Sequence, residues 1–237
     1  MPVEYRSPRT LSYLAIAGIA GSGICRFLVI IVGVALIVDP TRTSNVPSGQ
    51  RAYLWVFLHD VIVLFEFPVY VFAIVVFLMW LFRIYKNLPA LRAERVDNSP
   101  GWAVGWWFIP FINLVKPVQV VREAWTASDP DVDFEMSFLT AVQGGAPGYM
   151  VLWWAAWIIS NVLANITTAI FNAGRPDTFV ISGYFFVADG IATAIAAVVA
   201  IKVIRDITNR QELRYKRVGE LHDYGPPPPP AFDQDRV

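Results

Sequence analysis

The sequence predicts an all-α integral membrane protein with four transmembrane helices and a proline-broken helical segment between the second and the third. Its 237 residues are 56% hydrophobic and only 16% charged, whereas soluble domains are roughly a quarter charged. The apolar residues also cluster in runs, and a run of about 18 or more uncharged residues is long enough to span a bilayer. This pattern argues against a soluble globular protein.

Four apolar runs supply the predicted spans. The first run is far longer than the apolar core of a signal peptide, so we expect an uncleaved span. Its glycines, Gly18, Gly21, Gly23 and Gly33, offer a surface that another helix can approach closely. Nothing in residues 204–214 breaks a helix, so the last span can continue into them. The predicted spans are residues 11–38, 53–82, 149–171 and 179–201.

Polar stretches at the two ends complete the organisation. Residues 1–10 are the expected cytoplasmic N-terminus, and residues 11–214 form the polytopic domain. Residues 215–237 contain five consecutive prolines, Pro226 to Pro230, which favour polyproline II and cannot build a core. We therefore expect a disordered proline-rich cytoplasmic tail, which is a docking candidate for a protein partner.

Charge and metal-binding residues exclude several classes of function. The 19 basic and 19 acidic residues cancel, and no basic stripe alternates with stacking aromatics, so we expect no nucleic-acid partner. Cys25 is the single cysteine, and His59 and His222 are the two histidines. We therefore expect no disulfide, no metal and no other cofactor. His59 is adjacent to Asp60, and we interpret it as a hydrogen-bonded interface residue.

Residues 101–125, called here the tryptophan segment, hold four of the nine tryptophans. As a continuous helix, the first 21 residues would be about 31 Å long, which is enough to cross the bilayer. Pro110 argues against a crossing, because it removes a helix donor and restrains the residue before it. Pro117 interrupts the segment again. The helical stretch before Pro110 reaches only about 12 Å, part of the way into a bilayer core.

The distribution of lysine and arginine favours four spans, because cytoplasmic flanks collect basic residues. With four spans both termini are cytoplasmic, and 15 basic residues lie inside against three outside. If the tryptophan segment crosses the membrane, at best ten basic residues lie inside and seven lie outside. We therefore expect the segment either to re-enter the membrane, with its turn at Pro110–Asn113, or to lie flat in the interface. The sequence leaves these two arrangements open.

Motifs in and around the tryptophan segment resemble those of a known family. They are Trp80-Leu-Phe-Arg-Ile-Tyr-Lys-Asn-Leu-Pro-Ala90, Ser99-Pro-Gly-Trp-Ala-Val-Gly-Trp-Trp-Phe-Ile-Pro110, Val121-Arg-Glu-Ala-Trp125 and Ile207-Thr-Asn-Arg-Gln211. Over roughly Val56 to Arg214 the chain resembles the bacterial membrane-protein family catalogued as domain of unknown function 4328. The resemblance implies a polytopic protein of the bacterial cytoplasmic (inner) membrane, chiefly actinobacterial, and it implies no activity. The motif positions are Trp80, Arg83, Asn87, Gly101, Trp102, Trp106, Trp107, Pro110, Asn113, Pro117, Arg122, Glu123, Trp125 and Gln211.

Charged residues inside membrane spans are rare and usually have a partner, so they are functional candidates. Arg26, Glu66 and Asp189 each fall near the middle of a span. Because an unpaired charge at that depth costs several kcal/mol, we expect Arg26 to contact one or both acids. Asn161 and Asn165 begin a polar stripe on the third span, which we expect to face inward.

Two interpretations of these polar residues remain open. They form either a pathway or site for an ion, a proton or a polar solute, or ion pairs and amide bonds that fix helix register. No Ser/His, Asp/Asp or HExxH-like set of catalytic residues is present, so we expect no enzyme. We favour a non-enzymatic membrane scaffold or accessory subunit. The alternative is a small transporter or channel using the intramembrane charges, for which four spans would call for a homo-oligomer.

Two further charged groups are expected to be solvated. One is the pair Arg122 and Glu123 at the end of the tryptophan segment. The other is the acidic loop from Asp129 to Glu135, which lacks the glycine and final glutamate spacing of a calcium-binding EF-hand.

Overall fold

The computed structural model describes residues 4–38, 52–93, 96–131, 145–172 and 176–223. Within these ranges the regular secondary structure is helical and no strand is present. The proline run of the predicted tail and most of the acidic loop lie outside the described residues. The α-helices are α1 (Arg9–Val38), α2 (Ala52–Asn87), α3 (Pro100–Gly105), α4 (Lys116–Ala127), α5 (Tyr149–Asn172) and α6 (Pro176–Asp223).

Four of these helices, α1, α2, α5 and α6, are long and apolar enough to cross a membrane, which confirms the predicted membrane fold. Two of them run past the predicted ends of their spans. Helix α2 ends at Asn87 rather than near residue 82, because no proline or glycine lies between residue 82 and Pro89. Helix α6 is a single helix of 48 residues and includes residues 204–214, as expected.

The predicted tail begins too early in the sequence. Residues 215–223, which we expected to be disordered, belong to α6. They are rich in residues that extend a helix at little cost, and the lone Gly219 costs only about 1 kcal/mol. The first strong helix-breaking pair, Gly225 and Pro226, comes after the helix has ended. The expectation was therefore wrong for these nine positions.

The long helices pack in the order α2, α1, α6, α5, so that α1 and α6 are central. A Cβ atom on Gly18 would lie 2.9 Å from the Cα of Ala73, and one on Gly33 would lie 2.9 Å from the Cβ of Phe186. These contacts confirm that the glycines of α1 allow close approach, although a Cβ on Gly23 would meet open space. Helices α2 and α5 end the packing order, and their described residues make few contacts with each other.

The tryptophan segment is broken where its prolines predict. Helix α3 passes into a 3₁₀ turn at Trp106–Phe108, and Pro110 lies in the break that follows. A second 3₁₀ turn, Ile112–Leu114, leads into α4. Pro117 lies in the first turn of α4, where its missing N–H costs no hydrogen bond.

The two ends of the tryptophan segment meet. The carboxylate of Glu123 accepts hydrogen bonds from the backbone amides of Asp97 and Asn98, which immediately precede α3. The hydroxyl of Tyr85 in α2 donates to this carboxylate at 2.8 Å and to the carbonyl of Val120 at 2.8 Å. The chain therefore leaves the segment at the end of the bundle where it entered.

These contacts correct part of the expectation that two charged groups are solvated. Arg122 and Asp131 are exposed as expected, but Glu123 and Asp129 are half-buried and paired. The carboxylate of Glu123 joins α4 to α2 and to the chain before α3. In the acidic loop, Asp129 lies 2.8 Å from Arg210, and Asp131 lies 2.6 Å from Arg217. Both arginines belong to α6, so the described part of the loop is held against that helix by charge pairing.

A buried amide network connects the same end of the bundle. The side-chain amide of Asn87 donates to Oε1 of Gln211 at 3.1 Å and to the carbonyl of Arg6 at 2.9 Å. Gln211 in turn donates to the carbonyl of Ile84 at 3.0 Å and to the hydroxyl of Ser128 at 3.3 Å. The N-terminus, α2, the end of α4 and α6 therefore meet here, at what we call the clamped end.

The close packing of α1 can be tested at two glycines. We expect Gly18→Ala to lower the free energy of unfolding by about 1–3 kcal/mol, because its Cβ would press on the backbone of Ala73. The control, Gly23→Ala, adds the same methyl group into open space and should be neutral or stabilising by up to about 1 kcal/mol. Equilibrium unfolding in detergent, followed by circular dichroism, measures both. Equal stabilities would contradict the packing order.

Candidate functional site

Three charged side chains from three helices meet inside the bundle. Nε of Arg26 in α1 lies 2.7 Å from Oε1 of Glu66 in α2, and its Nη1 lies 2.9 Å from Oδ2 of Asp189 in α6. The side chains of Glu66 and Asp189 are 8% and 2% exposed, and that of Arg26 is 28% exposed. Arg26 therefore contacts both acids, as expected from the similar depth of the three residues in their spans.

The position of this charged cluster follows from the packing order. Because α1 lies between α2 and α6, an arginine in its middle can reach both neighbours. The hydroxyl of Thr193, one turn after Asp189, donates to the second carboxylate oxygen of that residue at 3.3 Å. With both acids ionised, the cluster carries one net negative charge. A buried charge of this kind needs a further positive charge, a proton or water nearby.

A cavity of about 500 Å³ lies beside the charged cluster. All four long helices and the tip of the tryptophan segment contribute to its wall. Arg26, Glu66 and Asp189 are the charged residues among the described ones that line it, and most of the others are apolar. The volume falls in the range of about 300–1,000 Å³ that is typical of pockets for small organic molecules.

Aromatic side chains close the gap between α2 and α5 on one side of the cavity. The ring of Trp107, at the tip of the tryptophan segment, lies 5.2 Å from that of Phe77 in α2 and 5.4 Å from that of Trp154 in α5. The ring of Trp154 also stacks on that of Trp157 at 4.7 Å. Sequence reasoning identified Trp107 only as a motif position. Its role as a wall depends on where the broken segment folds, which the local pattern does not specify.

Two buried polar atoms of cavity-lining residues have no hydrogen-bond partner among the described residues. They are the hydroxyl oxygen of Ser22 and the indole nitrogen of Trp107. Ser22 is only 9% exposed and lies one turn before Arg26 on α1. Buried polar atoms in native proteins almost always bond to protein or to water. The cavity is the space in which these two atoms can meet a water molecule or a polar ligand atom.

The polar stripe expected on α5 faces the cavity only in part. Asn161 lines the cavity, and its side-chain amide donates to the carbonyl of Trp157 at 2.7 Å. Asn165 is exposed, and its amide donates to the carbonyl of Asn161 at 2.7 Å. The expected inward orientation of Asn165 was wrong, because the buried face of α5 runs through Ser160 and Thr167 instead.

Several motif positions build the clamped end. The indole N–H of Trp80 donates to a buried threonine hydroxyl of α6 at 3.0 Å, and that of Trp106 donates to the side chain of Asn98 at 2.8 Å. The guanidinium of Arg210 lies over the ring of Trp125 at 4.3 Å. Together with Asn87, Gln211 and Glu123, these residues fix the tryptophan segment and α6 to α2. The other motif positions are Gly101, Trp102, Pro110 and Arg122, which are exposed, Arg83 and Asn113, which are half-buried, and the buried Pro117.

His59 and Asp60 also form a close pair, with Nδ1 and Oδ1 3.1 Å apart. The ring of His59 lies 5.0 Å from that of Phe186 in α6. Within the described ranges, no group of three His, Cys, Asp or Glu side chains lies close enough to hold a metal ion.

The sequence profile of one family, described as domain of unknown function (DUF4328), matches residues 44–209. The chain belongs to this family. The range that matches DUF4328 contains Glu66, Asp189 and the whole tryptophan segment, whereas Arg26 and Gln211 lie outside it. No curated protein and no solved structure matches the chain.

The charged cluster can be tested by removing its cation. Arg26→Leu leaves two buried carboxyls without their partner, so we expect the free energy of unfolding to fall by about 3–5 kcal/mol and the folded yield to drop. The triple variant Arg26→Leu, Glu66→Gln, Asp189→Asn removes all three charges and should recover most of the loss. Detergent unfolding curves measure both variants. If the triple variant were no more stable than the single one, the ion pairs would not be what holds these helices.

Proposed function

We propose that this DUF4328 protein is a small carrier or channel for an ion, a proton or a polar solute, bound beside Arg26, Glu66 and Asp189. One observation supports this above the others: charges from three helices line a cavity of about 500 Å³ in the bundle interior. Intramembrane charges that face a cavity are typical of substrate and ion pathways. Four spans are few for a complete pathway, so the proposal includes a homo-oligomer.

The purely structural alternative explains less of the site. If the ion pairs served only to fix the helix register, we would expect the side chains around them to be closely packed. A void beside them removes packing contacts and so destabilises the fold. Here the ion pairs border an open volume, and two polar atoms of lining residues, in Ser22 and Trp107, have no partner within the described chain. A solvated or ligand-filled site accounts for both features.

The scaffold function that the sequence favours has less support than the carrier. A scaffold needs free polar or apolar surface for its partners, and the clamped end is the natural place for it. The described polar groups there, among them Asn87, Gln211 and Glu123, are engaged with one another or with backbone. The proline-rich part of the tail, which is the other docking candidate, lies outside the described residues.

We further propose that the protein lies in the bacterial cytoplasmic membrane with the clamped end and both termini in the cytoplasm. The excess of lysine and arginine at that end supports this orientation. The meeting of the two ends of the tryptophan segment supports an even number of crossings. The exposed apolar tip, with Phe108 68% and Phe111 83% exposed, suits either a re-entrant or an interfacial position in lipid.

Transport can be tested in proteoliposomes that hold a pH-sensitive dye or a potassium- or sodium-sensitive dye. We expect the wild-type protein to conduct at least one of these cations, and Glu66→Gln or Asp189→Asn to lower the rate about tenfold or more, because each removes a charge from the cavity wall. The control is Asp60→Asn, an acid on the same helix whose side chain is 68% exposed. No flux above empty liposomes, or equal rates in all variants, would refute a pathway for these inorganic cations through the site.

The topology can be tested with reporter fusions. Reporters of cytoplasmic location placed at residue 135 and after residue 237 should both be active, because two spans separate the first site and four spans separate the second from a cytoplasmic N-terminus. A third reporter at residue 45, between the first two spans, should be inactive and serves as the control. If the tryptophan segment crossed the membrane, residues 135 and 237 would lie on the same side as residue 45, and all three reporters would give the same result.

A further inference from the structure

We propose that the ligand of the cavity is an organic cation with an apolar, aromatic-compatible body, which enters sideways from the bilayer between α2 and α5. The inference rests on the proposed function and narrows its substrate class. Three features support it: the charge of the cavity wall, its aromatic surface and the gap between the two helices.

The net charge of the cavity wall favours a cation as the ligand. Among the described lining residues, one guanidinium faces two carboxyls, so the cavity is negative by one charge when both acids are ionised. A net charge inside the membrane is costly unless an opposite charge lies beside it. A bound cation can supply that charge in place of a proton or water, whereas an anion would add to the excess.

The aromatic surface selects an organic cation over a metal ion. Trp107, Trp154 and Trp157 line the cavity together with Phe77 and Tyr70. Ring faces attract organic cations, particularly quaternary ones, and they give large dispersion contacts to an apolar body. An alkali ion is instead held by a ring of oxygen atoms, and it gains little from an aromatic wall.

An unpartnered hydroxyl lies next to the charges. The oxygen of Ser22 is buried in the cavity wall one turn from Arg26, and it has no hydrogen-bond partner in the described chain. A hydroxyl can accept a hydrogen bond from a protonated amine or from a water molecule that accompanies a ligand. The site therefore offers a polar contact at the same place as its negative charge.

The gap between α2 and α5 gives access from the lipid. Helices α1 and α6 pack tightly on their neighbours, whereas the backbones of α2 and α5 make few close contacts. These two helices meet through side chains such as Phe77 and Trp153, whose ring centroids lie 6.0 Å apart. Two lining residues beside this gap are widely exposed, Phe67 of α2 at 69% and Phe108 of the tryptophan segment at 68%. An apolar molecule dissolved in the bilayer meets these rings before it meets the charges. A ligand that reaches the site by this route needs an apolar body.

The experiment uses two ions of nearly the same shape and opposite charge. Radiolabelled tetraphenylphosphonium and tetraphenylborate are equilibrated with the full chain in lipid nanodiscs, and empty nanodiscs correct for partition into lipid. We expect saturable binding of the phosphonium and at least about tenfold weaker binding of the borate, since the wall repels it. Tetramethylammonium, which carries the charge without the apolar body, should compete poorly. Equal affinity for both tetraphenyl ions, or no saturable phosphonium binding, would overturn the inference.

Two matched pairs of variants assign the binding to this cavity. Glu66→Gln should weaken phosphonium binding about tenfold, and Asp60→Asn should leave it unchanged. Trp157→Leu should weaken it about three- to tenfold through lost ring contacts. The control Trp102→Leu alters a 55% exposed tryptophan that is not among the residues lining the cavity. Thermal unfolding confirms that each variant is folded. Equal effects within either pair would place the binding elsewhere and overturn the inference.

The outcomes separate this inference from the carrier proposal. If inorganic cation flux depends on Glu66 but the phosphonium does not bind, the organic-cation inference fails and the carrier remains. If the phosphonium binds as expected but no flux of any cation is seen, the cavity is a binding site and the carrier fails.

Discussion

The membrane bundle depends on one guanidinium. Arg26 projects from the helix that lies between two others, and it bonds to a carboxyl on each of them. In lipid there is little hydrophobic drive for apolar helices to associate, so interhelical polar bonds and close packing carry much of the specificity. The glycines of α1 provide the close packing, and Arg26 provides the polar bonds. One helix therefore sets the relative position of α2 and α6, and α5 follows by packing on α6.

The tryptophan segment is fixed at its base by hydrogen bonds, and at its tip Trp107 packs against α2 and α5. Its base is fixed by Glu123, which binds the chain before α3 and the hydroxyl of Tyr85. Its tip carries exposed apolar side chains and brings Trp107 to the gap between α2 and α5. Pro110 allows this shape because it prevents one continuous helix. The motif residues thus have two roles, since six of them make the contacts of the clamped end while Trp107 closes one side of the cavity.

Local patterns in the sequence were enough to predict the spans, the break in the segment and the three intramembrane charges. Each of these depends on features close in sequence: apolar run length, a proline, or a charge within an apolar run. The partners of Glu123 and the orientation of Asn165 were not predictable in this way. The first depends on contacts between residues 25 to 38 positions apart, and the second on which face of α5 meets α6. The cavity was also missed, because it results from the scarcity of close backbone contacts between α2 and α5 rather than from any residue pattern.

The continuity of α6 has a mechanical consequence. Asp189 and Gln211 belong to the same unbroken helix, and 22 residues correspond to about 33 Å along its axis. A helix of that length without a proline behaves as a stiff rod. If α6 shifts along its axis at Asp189, Gln211 shifts with it. Gln211 is the residue that bridges Asn87 and Ser128. A displacement at the charged cluster is therefore transmitted to the clamped end through one helix.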